Sequence, residues 1–155
     1  MIKEKIKGYL KKREFLNVAT CSPDGVPNAA PKFLLKFEGN HIYLADYTIG
    51  KTYMNLTVNK KISLCFMDLD TLDGYQMNGV SQILASGRVY EELLNEFQAK
   101  TTALTVDRII EGLRGEKGHK HFELDVPDMI VIFKVTVNEI VRIGHKGELE
   151  KEQLL

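Results

Sequence analysis

Apolar and polar positions alternate along most of the chain in short runs separated by turn residues. The first segment is different: Ile2, Ile6 and Leu10 recur at i, i+4 and i+8 among the charges of Lys3 to Arg13. That spacing predicts a helix with one apolar stripe and a solvated lysine face. Phe15 to Cys21 then reads as a strand with Leu16, Val18 and Thr20 on one face. Ser22-Pro23-Asp24-Gly25 supplies hairpin-turn chemistry. A long second strand follows from Val26 to Phe37, entered through Pro27 and interrupted by Pro31. Proline inside a strand implies an edge, a bulge or a segment turned toward a ligand. Glu38-Gly39-Asn40 turns into a third strand, His41 to Ala45.

A short helix is predicted after Gly50-Lys51-Thr52, with Met54, Leu56 and Val58 alternating with polar residues, before a strand from Ile62 to Met67. Tyr75 to Tyr90 reads as a long strand bent near Gly79 or Gly87. Glu91 to Gly115 is helical, with Leu94 and Phe97 on one face and Val106, Ile109, Ile110 and Leu113 at i, i+3, i+4 and i+7. The β-branched pair Thr101-Thr102 is expected to divide it into two helices. Met129 to Val135 and Glu139 to Ile143 read as two further strands, followed by a polar, frayed tail from Gly144. Six to seven strands, joined mostly by hairpin-length turns, predict a mainly β chain with added helices: an antiparallel barrel in a single domain spanning 1–155.

Composition narrows the function classes. Basic and acidic side chains balance at 21 each, which disfavours a general nucleic-acid binder. Hydrophobic residues make up 44%, yet the longest apolar runs are a few residues, far short of a membrane span. The N-terminal residues mix charges and lack an apolar signal core, so a cytoplasmic setting is expected. Cys21 and Cys65 are expected to be buried free thiols rather than a disulfide framework.

The candidate chemistry centres on residues 44–56. A helix opening at Gly50-Lys51-Thr52 offers unpaired backbone N–H groups, a hydroxyl and an ammonium to one point, which is an anion site and suits a phosphate. The segment ends like a Walker A loop, but Ala45 stands where that motif needs its first glycine, and a parallel sheet is not expected. The acidic stretch Asp68 to Asp73 lacks the distal glutamate of a calcium loop, Gly79 standing there instead, and reads as a solvated hairpin loop. His119 and His121 flank Lys120, and His145 lies further on. They leave a metal or heme role open without a supporting ligand constellation.

The order of these features resembles the pyridoxamine 5′-phosphate oxidase-like family of FMN-binding split barrels. The residues that carry the resemblance are Asn17-Val18-Ala19-Thr20-Cys21 with Asp24-Gly25 and Pro27, then Glu38-Gly39-Asn40-His41-Ile42-Tyr43-Leu44. Gly50-Lys51-Thr52 with Asn55-Leu56, Asn59 with Ile62-Ser63-Leu64, and Gln82 with Gly87 continue it. The resemblance implies a split β-barrel, a homodimer with FMN at the subunit interface, and flavin-dependent oxidoreductase activity on a small substrate. NADH or NADPH is a candidate electron donor. It further implies that Lys51 and Thr52 hold the FMN phosphate, with Asn55 supporting the helix start. Asn28, Ala29, Ala30, Pro31 and Lys32 would run beneath the flavin ring. Asp46, Tyr47, Thr48 and Ile49 would face its polar edge, and Gln82 would reach it from the partner subunit. Arg142 and His145 sit near the end, where the true oxidases place arginine and histidine on substrate phosphate, but the spacing does not align them. A heme-binding or heme-degrading barrel and a non-enzymatic flavin sensor are the alternatives.

Overall fold

The computed structural model describes residues 2–115 and 129–154. Its elements are α1 (Glu4–Lys11), β1 (Phe15–Cys21), β2 (Pro27–Glu38), β3 (His41–Asp46), α2 (Lys51–Val58), β4 (Lys61–Met67) and β5 (Gly74–Leu84). They continue as α3 (Arg88–Leu113), β6 (Val131–Ile143) and β7 (Leu149–Gln153). The sheet order is β3-β2-β1-β4-β5-β6-β7, and a further β3–β6 pairing closes the first six strands into an antiparallel barrel. The predicted fold class therefore holds: a split barrel, with β7 as a seventh strand on the flank of β6.

Alternation builds the interior. Leu16, Val18, Leu34, Ile42, Leu44, Leu64, Met77, Phe133 and Val135 belong to one buried cluster, joined by Ile6 and Leu10 of α1 and by Ile2 just before it. A second cluster lies outside the barrel wall, where Leu93 and Phe97 of α3 pack on Phe33, Leu35, Tyr43, Ala45 and Ile132. Covering both faces explains why Ile42 to Asp46 and Ile130 to Phe133 are continuously buried instead of alternating. Alternation turns Leu34 inward and Leu35 toward α3, and the register shift between Leu34 and Lys36 keeps Lys36, paired with Glu96, on the α3 side as well. Lys100 of α3 donates to the carbonyls of Leu34 (2.7 Å) and Leu35 (3.1 Å), docking the helix onto that irregularity.

Several expectations are corrected. The strand predicted to reach Tyr90 stops at Leu84, because Gly87 (φ 92°) precedes the first turn of α3; the bend expected near Gly79 is a register shift at Asn78/Gly79. Thr101 does not break α3: its hydroxyl donates back to the Phe97 carbonyl at 2.9 Å, so the helix runs unbroken. The stripe Val106, Ile109, Ile110 and Leu113 is exposed, between 40% and 84%, while Leu93, Phe97 and Thr105 are the buried positions of α3. The two predicted C-terminal strands are one strand, β6, and the tail forms β7. Cys65 is exposed and Cys21 only half-buried, because both occupy outward positions of their strands. No helix among the described residues is long and apolar enough to cross a membrane.

Candidate functional site

The inward-facing file of β1 ends on a polar residue. After Leu16 and Val18 comes Thr20, whose buried Oγ1 accepts hydrogen bonds from Asn55 Nδ2 (3.1 Å) and Asn28 Nδ2 (3.4 Å). Asn28 Nδ2 also lies 3.1 Å from Thr52 Oγ1. Thr20, Asn28, Thr52 and Asn55 thus close one end of the barrel beneath α2. This corrects the expected packing of that helix in part: of Met54, Leu56 and Val58, Leu56 alone is buried. Its buried residues are Thr52, Asn55 and Leu56, while Met54 and Val58 are exposed.

The consequence falls on the start of α2. Gly50 provides no side-chain cap, and the first intrahelical bond there runs from Met54 N to Gly50 O. The N–H groups of Lys51, Thr52 and Tyr53 therefore lack helical acceptors. Thr52 Oγ1 already accepts from Asn28, so its own proton is free to be donated outward. The Lys51 ammonium is exposed beside these groups and lowers the pKa of Asp24, although the Ser22 hydroxyl is the larger cause of that shift. Three backbone donors, a hydroxyl and an ammonium converge on the positive end of a helix, and this donor set fits a phosphate.

The other predicted residues divide by face. Ala29 and Pro31 are exposed on β2, opposite Ala19 and Asn17 of β1, whereas Ala30 is half-buried. Lys32 and Asp46 are buried and pair with each other, Nζ to Oδ2 at 2.5 Å. Asp46 Oδ1 accepts from Thr48 N at 3.2 Å, which bends the chain so that Tyr47, Thr48 and Ile49 stand exposed. Tyr47 rests edge-on against Phe97, 5.8 Å between centroids, and partial burial raises its phenol pKa, with Asp46 adding to the effect. Gln82 is exposed on β5 in register with Lys134 and makes no hydrogen bond to the α2 cluster.

Thr20 and Asn59 belong to the motifs that carry the family resemblance but were given no site role by sequence. Asn59 Nδ2 donates to the Cys21 carbonyl at 3.2 Å and pins the end of α2 to β1. For Thr20 the signal was present: a polar residue closing an apolar, inward-facing file. Beside it a groove of about 540 Å³ runs over the outer sheet face, walled by Ala19, Thr20, Ser63 and Asn78. Arg142 belongs elsewhere, since Asp73 and Glu150 engage its guanidinium. His145 is exposed, and His119 and His121 lie outside the described residues.

A family model described as pyridoxamine 5′-phosphate oxidase matches residues 2–141. The chain belongs to this family. No curated protein matches it. Among solved structures it is similar to HupZ of Group A Streptococcus (23% identity, TM-score 0.68), over 94% of this chain and 96% of that one. It is also similar to a Clostridium acetobutylicum protein related to general stress protein 26, of the pyridoxinephosphate oxidase family (21%, 0.64, 99% and 97%). A third is a pyridoxamine 5′-phosphate oxidase-related, FMN-binding protein of Nostoc punctiforme (13%, 0.62, 100% and 97%). At these identities the likeness establishes the fold, the FMN-binding split barrel.

Proposed function

We propose that this chain binds FMN and acts as a flavin-dependent oxidoreductase on a small substrate. The uncapped start of α2 is the observation that carries the reading. Lys51, Thr52 and the first-turn N–H groups would hold the phosphate, with Asn55 and Asn28 fixing the helix from below through Thr20 and Thr52. The exposed Ala29 and Pro31 offer a flat surface of short side chains against which a ring system can lie. The 46–49 turn, held by the Lys32–Asp46 pair, would place its backbone at the ring's polar edge. Bound FMN would supply the electron-transfer chemistry, so no side chain of this chain has to serve as an obligatory acid or base. What the protein contributes is grip on the phosphate, orientation of the ring and exclusion of water.

The assembly suited to this site is a homodimer. The outer faces of β1, β2 and β4 expose Asn17, Ala19, Ala29, Pro31 and Cys65, a smooth surface on which a second copy can close and bring Gln82 toward the flavin.

The test is a comparison of FMN with riboflavin, which lacks the phosphate. The purified protein should be yellow or should quench FMN fluorescence at micromolar concentration. Lys51→Ala should weaken FMN by about tenfold or more, the scale of one lost charge-assisted contact, and leave riboflavin nearly unchanged. Equal losses for both flavins would overturn the phosphate assignment. NADH or NADPH oxidation by the FMN-loaded protein separates an enzyme from a flavin-binding protein that does not turn over.

A further inference from the structure

The C-terminal half of α3 carries two faces of opposite use. Leu93, Phe97 and Thr105 are buried, and Arg108, on the same side, is held by Glu14 just ahead of β1. On the other side Val106, Ile109, Ile110 and Leu113 are 46%, 48%, 40% and 84% exposed. At 100° per residue these four side chains fall within an arc of about 100°, the width of stripe by which a helix packs on a neighbour. Thr102 and Ala103, also exposed, extend the arc by one turn without adding a charge. Single exposed apolar residues are ordinary on a surface, but a contiguous stripe marks a contact.

The charges beside the stripe specify what makes that contact. Asp107 and Arg114 are both exposed, and neither has an ion pair among the described residues. Seven residues apart, they lie about two turns from each other along one flank of the stripe. A flank bearing one charge of each sign suits neither an acidic nor a basic partner as well as it suits itself. Two copies of α3 laid antiparallel, with a two-fold axis between Ile109 and Ile110, set Val106 against Leu113 of the partner subunit. Like flanks meet in an antiparallel pair, so Asp107 of each copy comes within one turn of Arg114 of the other. A parallel pair would turn the same flank toward Thr105 and Gly112, which offer no charge.

We propose that the 106–113 face of α3 is a docking surface for the same face of a second copy of this chain, packed antiparallel and closed by two reciprocal Asp107–Arg114 ion pairs. It goes beyond the flavin reading and shares no residue with the outer faces of β1, β2 and β4. Four side chains per copy bury far less than the roughly 800 Å² per partner of a stable interface, so this contact is weak and concentration-dependent.

Sedimentation velocity on the full chain, from micromolar to millimolar concentration, tests it. The wild type should double in mass above the species present at micromolar concentration, with or without FMN. Asp107→Arg and Arg114→Asp each turn two attractions into two repulsions and should weaken this step about tenfold. The two single variants mixed together should associate as the wild type does, because each supplies the charge that the other lacks, and the double variant should recover for the same reason. Ile110→Asp should abolish the step. All these positions are exposed, so the variants should keep the fold, and circular dichroism checks that they do. The proposal is overturned by a mass that does not rise with concentration, by single reversals or Ile110→Asp without effect, or by a mixture no stronger than its components. Failure of the flavin reading shows separately, as no FMN uptake, and leaves these results unchanged.

Discussion

Lys32 of β2 and Asp46 at the end of β3 form a buried ion pair, 2.5 Å between Nζ and Oδ2, with each side chain only 9% exposed. Two residues that sequence reasoning assigned separately to the flavin are thus spent first on each other. Their service to the proposed site is indirect: Asp46, held by Lys32, accepts from Thr48 N and sets the 46–49 turn.

Removing one partner should therefore cost more than removing both. Lys32→Met strands a carboxylate in the barrel wall and is expected to destabilise the fold by about 3–5 kcal/mol. Lys32→Met combined with Asp46→Asn should recover most of that loss. Urea denaturation of the two single variants and the double variant gives the coupling, and strict additivity would contradict the pairing.

Thr20 is expected to matter as much as the residues at the helix start. Thr20→Val removes the acceptor shared by Asn28 and Asn55; Asn28 keeps Thr52 Oγ1, but the buried Asn55 amide is left short of its partner. A loss of about 1–3 kcal/mol in stability should result, together with weaker flavin binding because α2 loses its footing. Unchanged melting and unchanged FMN affinity would show that the cluster does not position the helix.

Gly79 stands where a side chain has no room. A Cβ there would lie 2.1 Å from the Thr136 carbonyl oxygen, a backbone atom that cannot step aside. Gly79→Ala should destabilise by on the order of 2–3 kcal/mol as β5 and β6 are forced apart beside the Asn78/Gly79 register shift. Gly8→Ala, with nothing within 4 Å of its added Cβ in α1, is the matched control and should be neutral or stabilising.

Acid should find Asp73. Its pKa is lowered, first by the Arg142 hydrogen bonds and further by the charges of Arg142 and Lys5. A group whose folded pKa lies below its unfolded value adds stability above the unfolded pKa, near 4 for aspartate. That stability is lost as pH falls through the folded value. Stability measured between pH 7 and pH 2 should thus decline on the acid side, and Asp73→Asn should start lower at pH 7 and fall less steeply. Parallel curves for the variant and the wild type would remove Asp73 from the acid response.

The sequence by itself determined the barrel. Strand-period alternation in Phe15 to Cys21 and Ile62 to Met67, and the hairpin turns at Ser22-Pro23-Asp24-Gly25 and Glu38-Gly39-Asn40, are local properties, and steric and turn preferences act over a few residues. The uncapped helix start at Gly50-Lys51-Thr52, on which the proposed phosphate contact rests, was legible for the same reason, since it depends only on the residues that form it. Periodicity failed where burial came from a distant element. The Val106 to Leu113 stripe has core spacing but meets no wall among the described residues, whereas β3 and the start of β6 lose their alternation because α3 covers their outer faces. Tertiary structure alone decided which polar groups meet. Thr20 lies 35 residues from Asn55, and Asp73 lies 69 from Arg142, separations across which no local signal reports a partner. The proposed anion site at 50–52 was written in one stretch of chain, while the footing beneath it required barrel closure to bring β1, β2 and α2 together.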